Sequence, residues 1–175
     1  KGITLALQSN TPEVLKNIQR QNIKMSAYQN LQVRFNEANV PVYSELILGL
    51  PGETKESWKQ GIENLIKAGL KNQLFIYLCQ VFPNTEMWDK DYQQRFGIKT
   101  HRIELNEIHG ALRSPDLTPE YEDIIIQTNA MSLADWKEMV LFSWLTMVLH
   151  SLKLGFFVML WLNNRHGKSY ADFID

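Results

Sequence analysis

Residues 44–54, Ser44-Glu45-Leu46-Ile47-Leu48-Gly49-Leu50-Pro51-Gly52-Glu53-Thr54, carry an apolar strand straight into a Gly-Pro-Gly turn, and a helix opens at once behind it. Such a strand–turn–helix step makes a ligand-facing edge, because the turn amides and the helix dipole can hold a polar or anionic group. It also places an acid, Glu45, inside an otherwise apolar strand, and a carboxylate in that position needs a physical reason.

The same pattern recurs along the first half of the chain. Ile3 to Leu7 reads as a buried strand, followed by Thr11 as a helix cap and Pro12 at the first helical position. Ser26 to Gln29 has the form of a capping box ahead of a helix with Leu31, Phe35 and Ala38 on one face; Asn39 and Pro41 end it. Val42 to Leu48 is the second strand. Thr54 then caps a helix carrying Trp58, Ile62, Leu65 and Ile66, closed by Gly69. Leu74 to Phe82 is the third strand. Buried strands alternating with helices predict an α/β fold with parallel strands and helices outside, and a site at the strands' C-terminal ends.

After Phe82 the pattern changes. A short helix is expected over Trp88 to Phe96 with a stop at Gly97, then two short strands, Arg102 to Ile108 and Asp123 to Thr128. Ser132 to Asp135 reads as the start of a long helix, and a last helix carries Phe157, Leu160 and Trp161. The apolar run Met139 to Leu162 is long enough to span a bilayer, but Lys153 and Gly155 interrupt it near its centre. Two buried helices meeting near Leu154 and Gly155 are expected instead, with no membrane span and with Trp136, Trp144 and Trp161 in the core.

Composition narrows the function classes. The 175 residues hold 45% apolar side chains, so the chain can build a core. Eighteen basic residues against 19 acids give a net charge of -1, which predicts no nucleic-acid-binding face. One cysteine, Cys79, rules out an internal disulfide and fits a reducing, cytoplasmic setting. His101, His109, His150 and His166 show no helical ligand spacing, so no metal site is expected, and His150 reads as a core histidine. The turn is not a phosphate loop either: counting from Gly49 puts Thr54 and Glu56 where a glycine and a Ser/Thr belong. The chain starts at Lys1-Gly2, just ahead of a strand, and reads as a piece of a longer polypeptide.

Three polar residues are candidates for ligand contact: Gln8 at the end of the first strand, Arg20 near the end of the following helix, and Glu45. A guanidinium grips a carboxylate through paired N–H groups, and a carboxylate accepts from ribose hydroxyls. On the residues alone, Arg20 as a solvated helix residue and Glu45 as a paired strand acid is the favoured reading.

The set Ile3 to Ser9, Val14-Leu15, Arg20 and Ser44 to Thr54, with Phe75 to Gln80 and Phe82-Pro83-Asn84-Thr85, resembles the second half of the radical S-adenosylmethionine (SAM) barrel, nearest the cobalamin-binding branch. The likeness covers about residues 2–87. It implies a partial (β/α) barrel over 1–87 followed by a mainly helical extension over 88–175. It also implies SAM contacts from Gln8 and Arg20 (Arg20 on the carboxylate), from Glu45 on the ribose, and from Ile47, Gly49, Val81 and Phe82 around adenine. Glu53 would orient the turn. The family's three-cysteine cluster motif and its glycine-rich amino-group loop are absent from these residues. Cys79 cannot replace the thiolates that hold a [4Fe-4S] cluster, so this piece alone is expected to be inactive and to need the N-terminal half of the same polypeptide. The intact protein would cleave SAM reductively to a 5′-deoxyadenosyl radical, for hydrogen abstraction or for cobalamin-dependent methyl transfer to a small-molecule substrate. An α/β nucleotide-binding module and a radical SAM tRNA-modifying enzyme are the alternatives.

Overall fold

A computed structural model describes residues 2–105 and 118–175. His109, Pro115 and the end of the strand expected to reach Ile108 lie outside the described residues. The first half alternates as predicted: β1 (Ile3–Gln8), α1 (Pro12–Asn17), α2 (Met25–Glu37), β2 (Val42–Leu48), α3 (Lys55–Lys67) and β3 (Leu74–Leu78). The three strands pair in parallel in the order β1–β2–β3. Parallel strands side by side in chain order, with helices between them, make an α/β fold.

Burial alternates along β2. Val42, Ser44, Leu46 and Leu48 are buried on one face, while Tyr43, Glu45 and Ile47 are only partly covered on the other. The buried face packs on α3, whose Trp58, Ile62, Leu65 and Ile66 form the expected stripe. Thr54 and Ser57 make a reciprocal capping box at the start of α3. Two predicted caps differ. Helix α2 begins at Met25, and Ser26 caps nothing. The Thr11 hydroxyl does not cap α1 but donates to Glu53 Oε1 (2.7 Å). The buried face of α2 is Tyr28 and Gln32 rather than Leu31 and Phe35, because the Tyr28 hydroxyl reaches Ser44 Oγ (2.6 Å) and Gln32 Nε2 donates back to it (2.8 Å).

The third strand breaks at Cys79 and continues as β4 (Gln80–Val81) in a second, antiparallel sheet. That sheet has the order β4–β6–β5, with β5 at Lys99–Glu104 and β6 at Tyr121–Gln127. Cys79 is the hinge between the two sheets. Its N–H donates to Leu48 O (2.8 Å) and its carbonyl accepts from Ile125 N (2.9 Å), which seats β6 beside the strand ends. Between β4 and β5 come a 3₁₀ turn (Glu86–Trp88) and α4 (Lys90–Phe96), with the Gly97 stop in the left-handed region as predicted.

The C-terminal part is helical: α5 (Leu133–Thr146), a π-helical turn (Met147–Ser151), α6 (Phe156–His166) and α7 (Tyr170–Ile174). Met139, Phe142, Met159, Tyr170 and Ile174 join the core of the first half. Trp58 Nε1 donates to Ser143 Oγ (3.0 Å), and Glu63, buried, accepts from Ala171 N (3.0 Å) while paired with Lys67 (2.9 Å). Helices α5 and α6 meet at a bend of 93°, and among the described residues no single helix is long and apolar enough to cross a membrane. The expectation that Trp144 and Trp161 are core residues is overturned: both are more than half exposed. The helices are apolar on every side, and the sheet and α3 cover only one.

His150 is fully buried on the π-helical turn; its Nε2 donates to Asn72 O (3.1 Å), and Nδ1 has no partner. Burial, with the nearby Lys153 ammonium, pushes its pKa down to about 4 against the opposing bond to Asn72. The fold therefore holds the neutral ring, and the unfolded chain binds the proton first as pH falls. Stability from this site is complete above about pH 6.5 and is lost on acidification toward about pH 4. Unfolding free energies from denaturant titrations at pH 7 and pH 5 should differ by on the order of 2 kcal/mol in wild type, and His150→Gln should flatten that dependence. An equal slope in the variant would assign the acid sensitivity elsewhere.

Candidate functional site

The candidate site lies on the face of the parallel sheet that the helices do not cover. Glu45 pairs in register with Ala6 on β1 and Phe75 on β3, and Ile47 pairs with Tyr77. Laterally paired residues of a sheet share a face, so Glu45 is surrounded by Ala6, Tyr43, Ile47 and Phe75. Rings bound it on one side, with Tyr43 and Phe75 centroids 6.1 Å apart and Phe75 and Tyr77 6.5 Å apart. Glu45 is thus not a buried acid in need of a partner. It is half-exposed, and among the described residues it makes no hydrogen bond or ion pair.

Gln8 ends β1 as predicted. The strand bulges between Ala6 and Gln8, and Gln8 adopts φ 57. Its side-chain Oε1 is buried with no hydrogen-bond partner, an acceptor whose desolvation a bound donor would offset. Arg20 lies beyond the end of α1, not within it. Its Nη2 donates to Ala6 O (2.9 Å) and its Nε to Asn22 Oδ1 (3.0 Å). Asn22 Nδ2 in turn donates to Leu7 O (2.8 Å) and Ser9 O (2.7 Å). The pair holds the end of β1 from its open edge, and the other N–H groups of the guanidinium stay free for a ligand.

The turn after β2 is held by Glu53, which is buried and accepts from Ser9 Oγ (2.6 Å), Thr11 Oγ1 (2.7 Å) and the Ser57 hydroxyl. These contacts tie the loop after β1 to the loop after β2, so Glu53 orients the rim on which the other residues sit. Gly49 is required here: it has φ 101, and a Cβ would stand 3.1 Å from Ile125 O. Gly52 has φ 92, and a Cβ there would meet Asn17 Nδ2 at 2.5 Å.

The structure brings some predicted residues together and separates others. Ile47 and Phe82 line one cleft of about 560 Å³, with Leu50, Tyr77, Met87 and Ile124. Arg20 lines a separate recess of about 280 Å³ along the edge of β1. Val81 does not line the cleft of Ile47 and Phe82; it is buried with Val14, Leu50, Cys79 and Ile125. Cys79 is likewise buried, and burial pushes its thiol up to about 12, an inert core sulfur. Residues the sequence reading missed are Asn22, which fixes Arg20, and Glu122 and Ile124 of β6, which close the cleft beside Ile47. No spacing in the chain connects β6 to β2, so only the hinge at Cys79 reveals that contact. Among the described residues, no group of three His, Cys, Asp or Glu could hold a metal ion.

No protein-family model matches the chain. Two curated relatives do. One is the cobalamin-dependent radical SAM methyltransferase TokK of Streptomyces tokunonensis, 32% identical over 174 residues. The other is the 2-(S-pantetheinyl)-carbapenam-3-carboxylate methyltransferase of Streptantibioticus cattleyicolor, also 32% identical, over 176 residues. Each alignment takes in 99% of this chain but 25% of the relative, so the chain spans about a quarter of the length of the relatives it matches. Over nearly all its residues, and in its α/β fold, the chain is thus similar to part of these two methyltransferases, one of them a cobalamin-dependent radical SAM enzyme, in line with the resemblance carried by its motifs.

Proposed function

We propose that this chain supplies the SAM-binding second half of the barrel, over residues 1–87, in a cobalamin-dependent radical SAM methyltransferase acting on a small molecule, with residues 88–175 as an extension beside the site. The observation that carries the reading is Glu45, without a partner among the described residues, on the uncovered face of the sheet, beside Ile47 and across from Ala6. A half-exposed carboxylate among apolar and aromatic neighbours suits a ligand with hydroxyl donors next to a flat ring, as in an adenosine. Gln8 Oε1 is an unfilled acceptor for an ammonium or amide donor, and the free guanidinium N–H groups of Arg20 suit a carboxylate. Ile47 and Phe82 offer apolar contact to a base, and the buried Val81 backs that wall. None of these residues suits an iron–sulfur cluster or cobalamin; both would be held by other parts of a full-length protein. When bound, SAM and those groups supply the radical and methyl-transfer chemistry. The residues here bind and orient SAM.

The test is calorimetric titration of SAM into the full-length protein and its Glu45→Gln and Arg20→Ala variants. Glu45→Gln conserves shape and removes no internal bond, so its fold should be unchanged. Affinity is expected to fall about tenfold or more in each, the scale of a hydrogen bond to a charged group. Unchanged affinity in Glu45→Gln would overturn the assignment. Arg20→Ala needs a thermal melt beside it, since Arg20 also holds the end of β1.

A further inference from the structure

The cleft beside Ile47 holds a polar pair that has no role in the site above. Its lining is apolar or aromatic, from Ile47 to Phe82 and Ile124, except for Gln80 of β4 and Glu122 of β6. Gln80 pairs in register with Ile124, and Glu122 lies two residues from Ile124 along β6. The three side chains therefore share the face of the second sheet that closes the cleft. Gln80 and Glu122 are half-buried there, and Gln80 Nε2 donates to Glu122 Oε2.

A carboxamide can present its donor and its acceptor in either order, by turning over about its last bond. Glu122 removes that freedom. A carboxylate only accepts, so the amide turns its nitrogen toward Glu122 and its oxygen away. Among the described residues Gln80 Oε1 makes no hydrogen bond, and neither does the second N–H of Nε2. The pair thus offers one acceptor beside one donor, in a fixed order, against an apolar wall.

That array complements a 6-aminopurine. Adenine has an N6–H donor next to a ring-nitrogen acceptor, and a glutamine amide meets such an edge with two hydrogen bonds. A 6-oxopurine fails on both edges. Beside N7 it sets O6 against the amide oxygen, and beside N1 it reverses the order of donor and acceptor. Polar groups left unpaired in a covered cleft make such a mismatch costly.

We propose that Gln80 selects the base of SAM by binding its adenine edge, and that Glu122 is the positioning residue that fixes how the Gln80 amide faces it. On that assignment β6, outside residues 1–87, takes part in choosing the cofactor. The inference rests on SAM binding beside Glu45 and Ile47.

The experiment is calorimetric titration of the full-length protein with SAM and with its analogue carrying hypoxanthine in place of adenine. Wild type should bind SAM at least about tenfold more tightly than the analogue. Glu122→Gln keeps the side chain's size but can donate as well as accept. The orientation of Gln80 is then no longer fixed, and the preference should fall to within about threefold with the thermal melt unchanged. Gln80→Leu should weaken SAM by about tenfold and erase the preference. A preference kept in both variants would overturn the proposal. So would equal binding of the two ligands by wild type, the result expected if another part of the polypeptide covers the pair. Glu45→Gln separates this inference from the SAM reading: it should weaken both ligands alike and keep their ratio. A ratio collapsed by Glu122→Gln with SAM affinity untouched by Glu45→Gln would support the base assignment and remove the ribose one. No binding of SAM to wild type would overturn both.

Discussion

Trp58→Ala should cost about 3–5 kcal/mol of unfolding free energy, the range for emptying a buried aromatic site. Trp58 is 2% exposed on α3 and fully within the core that joins the parallel sheet to the C-terminal helices. Its truncation removes apolar contact on both sides and leaves the Ser143 hydroxyl, now 3.0 Å from Nε1, without its donor. Trp58→Phe should fall between, keeping most of the ring volume but losing the hydrogen bond. A double-mutant cycle with Ser143→Ala should return a coupling of about 1 kcal/mol. Urea unfolding followed by circular dichroism measures wild type and every variant. A loss below about 1 kcal/mol in Trp58→Ala would mean that α5 is not seated on α3 as described.

Glu53→Ala is the second large effect, about 2–3 kcal/mol, because it strips the acceptor from three hydroxyls at once. Of these, Ser9 is itself buried and has the least access to water. The loss should be felt at the rim, since Ser9 and Thr11 belong to the loop after β1 and Ser57 to the first turn of α3. Amide exchange in residues 8–11 should accelerate more than exchange in α3. Glu53→Gln keeps one acceptor oxygen and should cost less. Exchange rising uniformly along the chain in Glu53→Ala would show a general loss of stability rather than a loosened rim.

Much of this was legible in the chain because the signals were local. Strand, turn and helix from Val42 to Lys67 follow from alternation, two left-handed glycines and a capping box, all within a few residues of one another. Gln8 and Gly49 could be placed at strand ends for the same reason. Val81 could not be assigned a direction. A strand that breaks at Cys79 and changes partners flips which side chains face inward, and its new partner β6 lies some forty residues away in sequence. Arg20 was placed on a helix that ends earlier, because the side chains that hold the segment beyond it, Arg20 and Asn22, bond to carbonyls of β1 rather than along a helix.

The sequence by itself determined the alternating βα order, the parallel pairing, the Gly-Pro-Gly rim with Glu45 in the strand before it, and the resemblance to the radical SAM barrel. Each rests on periodicity or on residue types at short spacing, which the chain states directly. Tertiary structure alone decided which faces stay uncovered. The same sheet buries Leu46 and leaves Glu45 free, and the same two apolar helices bury Met139 and Met159 while Trp144 and Trp161 stand in solvent. Coverage depends on where distant elements come to rest, and an apolar residue carries no mark of whether a partner will arrive.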